Sequence, residues 1–220
     1  MADGVILDNV LANWSPGWLS PLSLTVPVGT FLAIETPPAF SSLLFRLMLG
    51  LDTPRAGHVS ILGTQIHALG RAERRSFRST IGSVLVPDGL IANHTLLENL
   101  IIPFVYSHGR TLADAKRQSM AILETFQLDS AINEHPTAIS PDLRQTAALA
   151  RALVGSPEVL LLDNALASVD SVERNRLLAI SRQVVPTIIA ASHHADQTLF
   201  DAADNVASWD ADGFRLATPA

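Results

Sequence analysis

Asp163 is the acidic residue whose place in the sequence points most directly to chemistry. It closes the apolar run 159–162 (VLLL), which is too short for a helix and is typical of a strand buried on both faces. In open α/β sheets, ligands bind at the carboxyl ends of the parallel strands. We therefore predict that Asp163 is a ligand-facing carboxylate.

The lysine content excludes a glycine-rich phosphate-binding loop of the usual type. Such a loop needs a Lys that reaches the β- and γ-phosphates. The only Lys in the chain is Lys116, which lies in a helical pattern with no glycine-rich loop before it. The sequence therefore contains no P-loop of that type.

The segment before Asp163 predicts a helix that leads into its strand. Ser140 can cap a helix, Pro141 suits the first helical position, and Ala- and Leu-rich sequence continues to Val154. A Gly-Ser-Pro break at 155–157 separates this helix from the strand.

The stretch 139–170 resembles the core of the ATP-binding cassette (ABC) ATPase subunits. In that family a Ser-Gly-Gly-Gln signature opens a helix with an Ala-Arg-Ala-Leu segment. A strand ending in Asp-Glu and then a Ser-Ala-Leu-Asp loop follow. Here residues 150–153 (ARAL), the strand ending at Asp163, and residues 167–170 (ASVD) fall at matching spacing.

The departures from the family pattern fall on the residues that carry its chemistry. The signature glycines are Pro141 and Asp142, the signature Gln is Leu143, and the catalytic Glu is Asn164. The resemblance therefore implies a retained fold with a degenerate, non-catalytic site.

The segment 35–42 corresponds to the family's phosphate loop. Counting back from the helix 43–51 places Ser42 on the magnesium-binding hydroxyl and Ser41 on the missing Lys, whereas matching the hydroxyl pair instead shifts this alignment by one residue. Prolines without an N–H, a bulky ring and an added negative charge all disfavour a triphosphate; these are Pro37, Pro38, Phe40 and Glu35. We favour a simpler role for Ser41 or Ser42, capping of the helix.

The resemblance assigns further positions, each with a structural alternative. Val86 falls on the loop Gln that contacts magnesium and water, or Pro87 does if the alignment gap lies elsewhere. His193 falls on the switch histidine, and Trp14 on the ring that stacks on adenine. Trp14 could equally pack the β region, and for His193 we favour a retained structural contact. Ser140 would face the γ-phosphate, but we favour its role as a helix cap. ATP and Mg²⁺ would bind weakly, with Ser42 and Asp163 as the metal ligands.

Composition limits the classes of function. The 220 residues contain no Cys, 48% are hydrophobic, and the mean hydropathy is +0.28. We expect no disulfide, no thiolate metal site, no signal peptide and no transmembrane segment of this chain's own. The net charge of −6 argues against nucleic acid, and only the region 71–78 is locally basic. The high apolar content indicates surface buried against a partner.

The expected fold is α/β, similar to the ABC-ATPase form of the P-loop NTPase fold. It has a mainly parallel, doubly wound sheet, an N-terminal antiparallel β region and an inserted α-helical subdomain. We expect one unit over 1–220, with the core at about 1–90 and 156–220 and the helical subdomain at about 91–155.

Three functions follow from the resemblance. The first is a non-catalytic subunit that docks on a membrane permease and pairs with a second nucleotide-binding domain, as a homo- or heterodimer. Its pattern is most similar to the small lipoprotein-releasing, lipid-transport and cell-division subunits, which implies a cytoplasmic location at the inner face of the membrane. The second is a divergent ATPase with composite sites, and the third a soluble regulatory or scaffold protein.

The resemblance also implies interface residues. Asp170 would lie at the dimer interface, and the segment with Glu98, Ile101 and Phe104 would meet the permease. A buried helix of the subdomain explains that apolar segment equally well.

Overall fold

Strands and helices alternate along most of the chain. The computed structural model describes residues 3–12, 21–107, 109–210 and 213–217. The strands are β1 (Asp3–Leu11), β2 (Leu22–Pro27), β3 (Phe31–Glu35), β4 (Ala56–Ile61), β5 (Thr64–Gln65), β6 (Ile81–Val84), β7 (Val159–Asp163), β8 (Thr187–Ser192), β9 (Asn205–Asp210) and β10 (Gly213–Ala217). The helices are α1 (Pro38–Met48), α2 (Arg71–Arg78), α3 (Leu96–Tyr106), α4 (Leu112–Thr125), α5 (Pro141–Ala152), α6 (Ser171–Val184) and α7 (Gln197–Ala202).

A six-stranded sheet runs in the order β10-β9-β3-β8-β7-β6. All of its neighbouring strands are parallel except β9 and β10. Strands β3 and β7 lie on either side of β8, so the carboxyl ends of these three strands meet at one edge. The predicted mainly parallel sheet is confirmed.

A second, antiparallel sheet has the order β2-β1-β4-β5. Its inward-facing apolar side chains alternate with polar ones, as the burial of Leu22, Leu24 and Val26 on β2 illustrates. The predicted antiparallel β region is present, and it also includes β4 and β5, which follow α1 in the chain.

Apolar side chains cover both faces of the six-stranded sheet. On β7, Leu160 and Leu162 pack toward α3, α5 and α6, whereas Val159 and Leu161 pack toward α1 and the antiparallel sheet. A strand buried on both faces has to be apolar throughout, which explains the uninterrupted run before Asp163. The same apolar layers fix Asp163 at the end of a rigid strand.

Three helices, α3, α4 and α5, lie between β6 and β7 in the chain and pack on one another. Their position is that expected for the inserted helical subdomain, although its boundaries at about 91–155 stay a prediction. Helix α3 begins with a capping box, in which Thr95 Oγ1 accepts from Glu98 N and the Glu98 carboxylate accepts from Thr95 N.

Helix α1 differs from its predicted extent. It begins at Pro38 and ends at Met48, whereas the sequence pattern placed it at 43–51. The Pro37–Pro38 pair explains the early start, because Pro37 adopts an extended conformation (φ −59°, ψ 146°) and Pro38 suits the first helical position. The loop after β3 is therefore reduced to Thr36 and Pro37.

No helix in the described ranges is both long and apolar enough to cross a membrane.

Candidate functional site

The candidate site lies where β3, β8 and β7 end side by side. Glu35 of β3 pairs with Ser192 of β8, and Asp163 of β7 pairs with Ala191. Helix α1 starts three residues after Glu35. This arrangement brings Asp163, the hydroxyls of α1 and the residues after β8 to one edge of the sheet, as expected for a ligand site of an α/β fold.

Three backbone donors in Thr36 and the first turn of α1 are bonded within the protein. Thr36 N donates to Ser192 O at 3.0 Å, while Phe40 N and Ser41 N donate to Pro37 O at 3.0 and 3.2 Å. Pro37 and Pro38 have no N–H to offer. An anion needs several N–H groups that converge on it, and the N–H groups of Thr36, Phe40 and Ser41 already have these partners.

Asp163 is held by side chains of α1 and by a histidine. Its Oδ1 accepts from Ser41 Oγ at 2.6 Å and lies 3.3 Å from His193 Nε2, and its Oδ2 accepts from Ser42 Oγ at 3.1 Å. The Asp163 side chain is 1% exposed and Ser41 is fully buried. Both carboxylate oxygens therefore have partners within the protein.

Ser41 and His193 form a chain of hydrogen bonds that ends on Asp163. The Ser41 hydroxyl has one proton, and the bond to the Asp163 carboxylate is shorter than its 3.0 Å contact with Pro38 O. Ser41 Oγ can then accept from His193 Nε2, 3.1 Å away. Ser41 occupies the position that the resemblance gives to a Lys, and a neutral hydroxyl bonded to Asp163 provides no charge for a phosphate.

The interpretation of Ser41 and Ser42 as helix caps is wrong. Pro37 occupies the N-cap position of α1, and its side chain cannot accept a hydrogen bond. Ser41 and Ser42 lie inside the helix. Their hydroxyls bond Asp163 instead. The structural contact favoured for His193 is consistent with its place in this cluster.

Phe40 packs the start of α1 against the other end of the six-stranded sheet. Its ring stacks on Trp209 with centroids 3.8 Å apart and 11° between the planes, and it meets the edge of Phe214 at 5.8 Å. Phe40 is 1% exposed. An aromatic ring packed in this way fixes the first turn of α1 against β9 and β10.

Asn164 follows Asp163 with a left-handed backbone, φ +48°. Its N–H donates to Ala191 O at 2.8 Å, and the residue is half-buried. Asn adopts this conformation more readily than most residues. Its amide has no basicity with which to take a proton from water.

Val86 follows β6 and is 57% exposed. Its aliphatic side chain offers no ligand for a metal ion. The next residues are tied to α5, because Arg144 forms an ion pair with Asp88 at 2.8 Å and Arg151 donates to Gly89 O. Val86 lines a groove between β6 and helices α3 and α5.

Ser140 precedes α5, but its side chain makes no capping bond. The capping role that we favoured for it is therefore wrong. The Ser140 hydroxyl bonds the Asp142 carboxylate, and this hydrogen bond lowers the pKa of Asp142 from its ordinary value. A carboxylate that stays charged at the start of α5 repels an approaching anion, although it suits the helix dipole.

The residues in the described ranges contain no group of three or more His, Asp or Glu side chains placed to hold a metal ion. Ser42 and Asp163, the candidate magnesium ligands, are bonded to each other. Trp14, the candidate for stacking on adenine, lies outside the described residues.

A family model described as "ABC transporter" matches residues 19–167. This chain belongs to the ABC transporter family. It is 32% identical over 183 residues to the methionine import ATP-binding protein MetN of Caulobacter vibrioides, across 81% of this chain and 55% of that protein. It is also 32% identical over 205 residues to the lipoprotein-releasing system ATP-binding protein LolD of Xylella fastidiosa, across 90% of this chain and 84% of LolD.

The fold of this ABC chain is that of solved ATP-binding cassettes. A cassette solved as a dimer with ADP and Pi in a post-hydrolysis state superposes with a TM-score of 0.88 at 22% identity, covering 97% of this chain and 98% of the other. The ABC-type fold predicted from the sequence is therefore confirmed. The chain spans about half the length of the methionine import proteins that it matches.

The candidate interface residues of this ABC chain have different surroundings. Asp170 caps α6 by accepting from Val172 N and Glu173 N, and exposed Glu98 has its pKa lowered by hydrogen bonds from Thr95. Ile101 is half-buried. Phe104 is only 3% exposed and belongs to the core, so its prediction as a permease contact is wrong.

Two features of the site were not inferred from the sequence. One is the stack of Phe40 on Trp209, and the other is the tie of Asp88 and Gly89 to α5. Residues 40 and 209 are far apart in the chain and fit no local pattern. The opposite charges of Asp88 and Arg144 were the only feature of the sequence that could have indicated their ion pair.

Proposed function

We propose that this chain is a degenerate, non-catalytic ATP-binding-type subunit of an ABC transporter. The observation that carries the proposal is the closed phosphate segment, in which Phe40 N and Ser41 N bond Pro37 O while Asp163 is bonded by Ser41 and Ser42. The relatives are named as ATP-binding proteins. The proposal that this chain has lost ATP binding and hydrolysis therefore depends on its own residues.

Phosphoryl transfer depends almost entirely on positioning and on charge stabilisation by Lys, Mg²⁺ and backbone donors. Here the position of the Lys is taken by Ser41, that of the catalytic Glu by Asn164 and that of the loop Gln by Val86. Since each part acts with the others, losing them together removes the catalytic unit. Binding of Mg²⁺ and ATP is expected to be weak for the same reason.

A groove of about 510 Å³ supports docking on a permease. It lies between the end of β6 and helices α3 and α5, and its walls include Val86, Pro87, Pro103 and Ala148. Val86 is 57% exposed there, and with Pro87 and Pro103 it gives the groove an apolar wall that a partner would cover. The names of the relatives, methionine import and lipoprotein release, place them in transport systems.

Pairing with a second nucleotide-binding domain is part of the proposal. The solved cassettes with this fold include dimers. The loop before Asp170 is fixed by a hydrogen bond from Ser168 N to Gln145 Oε1 at 2.8 Å, so it has a defined shape with which to meet a partner. The proposed location is the cytoplasmic face of the membrane, beside the permease.

We expect Val86→Glu to abolish co-purification with the permease and leave the fold intact. A charge at a 57% exposed position is solvated in the free protein but is buried when a partner covers it. The matched control is Val184→Glu, since Val184 is 43% exposed and lies on α6, outside the groove. Retained co-purification of Val86→Glu, or equal loss in both variants, would contradict docking at this groove.

We expect Asn164→Glu alone to produce no Mg²⁺-dependent ATPase activity. The restored carboxylate would face a segment without a bound phosphate. It would also replace Asn in a left-handed conformation, at a cost of about 1 kcal/mol of stability. Phosphate release at millimolar ATP measures the activity, with Asn164→Gln as the uncharged control. Turnover above that control would show that the phosphate segment still binds ATP.

A further inference from the structure

Helix α2 carries an unusual concentration of positive charge. Its eight residues, RAERRSFR, include four Arg and one Glu. The Glu73 carboxylate accepts the Gly70 N–H at 2.9 Å and so caps the helix. The side chain of Arg74 turns inward and donates to the carbonyls of Gly50, His67 and Leu69.

The three remaining arginines, Arg71, Arg75 and Arg78, form no ion pair within the described part of the chain. Their spacing of four and three residues places them on one face of α2. Arg71 and Arg75 are exposed and Arg78 is half-buried. We call this face, together with Tyr106, the basic patch.

Tyr106 belongs to the patch because it borders the same open groove. The groove has a volume of about 540 Å³, and its lining includes Arg71, Arg75, Ser76, Tyr106 and Ser107. Tyr106 ends α3 and is 75% exposed, which leaves its ring largely without protein contacts. A large exposed ring beside guanidinium groups is typical of a surface that binds a partner.

The chemistry of the patch favours phosphate esters at a lipid surface. Guanidinium groups bind phosphate oxygens through paired N–H donors, and Tyr is enriched where the apolar and polar layers of a membrane meet. The chain as a whole carries a net charge of −6. An anionic surface would therefore attract this face and repel the rest of the molecule.

The position of the patch agrees with that chemistry. Ser107 lines both the patch groove and the groove that contains Val86, and Arg78 also lines the second one. If the Val86 groove holds the permease, α2 lies beside that contact.

We propose that the basic patch binds the headgroups of anionic phospholipids. This inference extends the proposed docking on a permease by adding a contact with the bilayer itself. The bound chemistry is a lipid phosphate on a membrane surface.

The test is sedimentation of the full chain with vesicles. Vesicles of phosphatidylcholine with about 30 mol% phosphatidylglycerol are compared with vesicles of phosphatidylcholine alone, at low and at physiological salt. The wild-type chain is expected to bind the anionic vesicles only, and less at higher salt. Each surface arginine contributes about fivefold to such binding, so Arg71→Gln/Arg75→Gln/Arg78→Gln should weaken it roughly a hundredfold.

A matched control removes the same charge elsewhere. The triple variant Arg55→Gln/Arg110→Gln/Arg117→Gln lowers the net charge by the same three units at exposed positions outside the patch. It is expected to keep most of the binding. Thermal melts of all variants establish that they are folded. The double variant Arg71→Gln/Arg75→Gln tests the patch with half-buried Arg78 left in place.

A labelled cysteine reports the orientation of the bound chain. Because the chain has no Cys, Ser107→Cys can carry a single environment-sensitive dye. Its emission should shift to the blue on anionic vesicles, whereas the same dye at Val184→Cys should not respond.

Several results would overturn the proposal. They are the absence of binding to anionic vesicles, equal loss in the two triple variants, and competition by millimolar inorganic phosphate that abolishes binding. Binding of the patch to an acidic protein segment but not to vesicles would do the same. The vesicles contain no permease, so failure here leaves the docking at Val86 to its own test.

Discussion

Replacing Phe40 by Ala is expected to lower the free energy of unfolding by about 3–5 kcal/mol, a fall in Tm of roughly 6–20 °C. The ring is 1% exposed and stacked on Trp209, so its removal leaves a cavity between α1 and the end of the sheet. Phe40 stands where the family's phosphate loop has its second glycine, by the count from Ser42. A site kept open for phosphate would not depend on this ring for stability.

Thermal and denaturant unfolding measure this effect. The matched control is Tyr106→Ala, which removes an aromatic ring that is 75% exposed and should change stability by about 0.5 kcal/mol or less. If both variants melt alike, the ring does not hold the segment closed as described.

Replacing Asp163 by Ala is expected to lower the free energy of unfolding by about 2–3 kcal/mol. The change removes the acceptor for Ser41 and Ser42 and leaves donors without partners in a buried cluster. The sign of the change in the free energy of unfolding distinguishes a structural role of Asp163 from a metal-binding role. A carboxylate kept for a metal ion is often strained in the free protein, and its loss then stabilises the fold.

Chemical denaturation with Asp163→Ala and Asp142→Ala checks this role. Asp142 is exposed at the start of α5, and its loss should cost about 1 kcal/mol or less. A rise in stability for Asp163→Ala would contradict the structural role of the cluster and favour a working metal site.

The sequence predicted the scaffold better than the site. The strand before Asp163, the helix after Ser140 and the parallel sheet follow from local patterns: apolar runs, helix-start residues and breaks. The resemblance placed Asp163, Ser41 and His193 at one site, but the hydrogen bonds among them were not predicted.

The errors have physical reasons. The start of α1 was placed too late because two prolines shorten the loop and extend the helix toward β3. Phe104 was misassigned because residues 100–106 are almost entirely apolar, so periodicity does not tell the buried face from the exposed one. The stack of Phe40 on Trp209 joins distant parts of the chain, which no local signal encodes.

The most direct test of the central claim is titration of the purified chain with Mg²⁺ and ATP, followed by calorimetry and by thermal shift. We expect no saturable binding up to millimolar ATP and no change in Tm beyond that given by a salt control. A ligand present at a thousand times its Kd stabilises the folded state by about 4 kcal/mol. Binding in the micromolar range, with a corresponding rise in Tm, would contradict the closed phosphate segment and with it the assignment of a non-catalytic subunit.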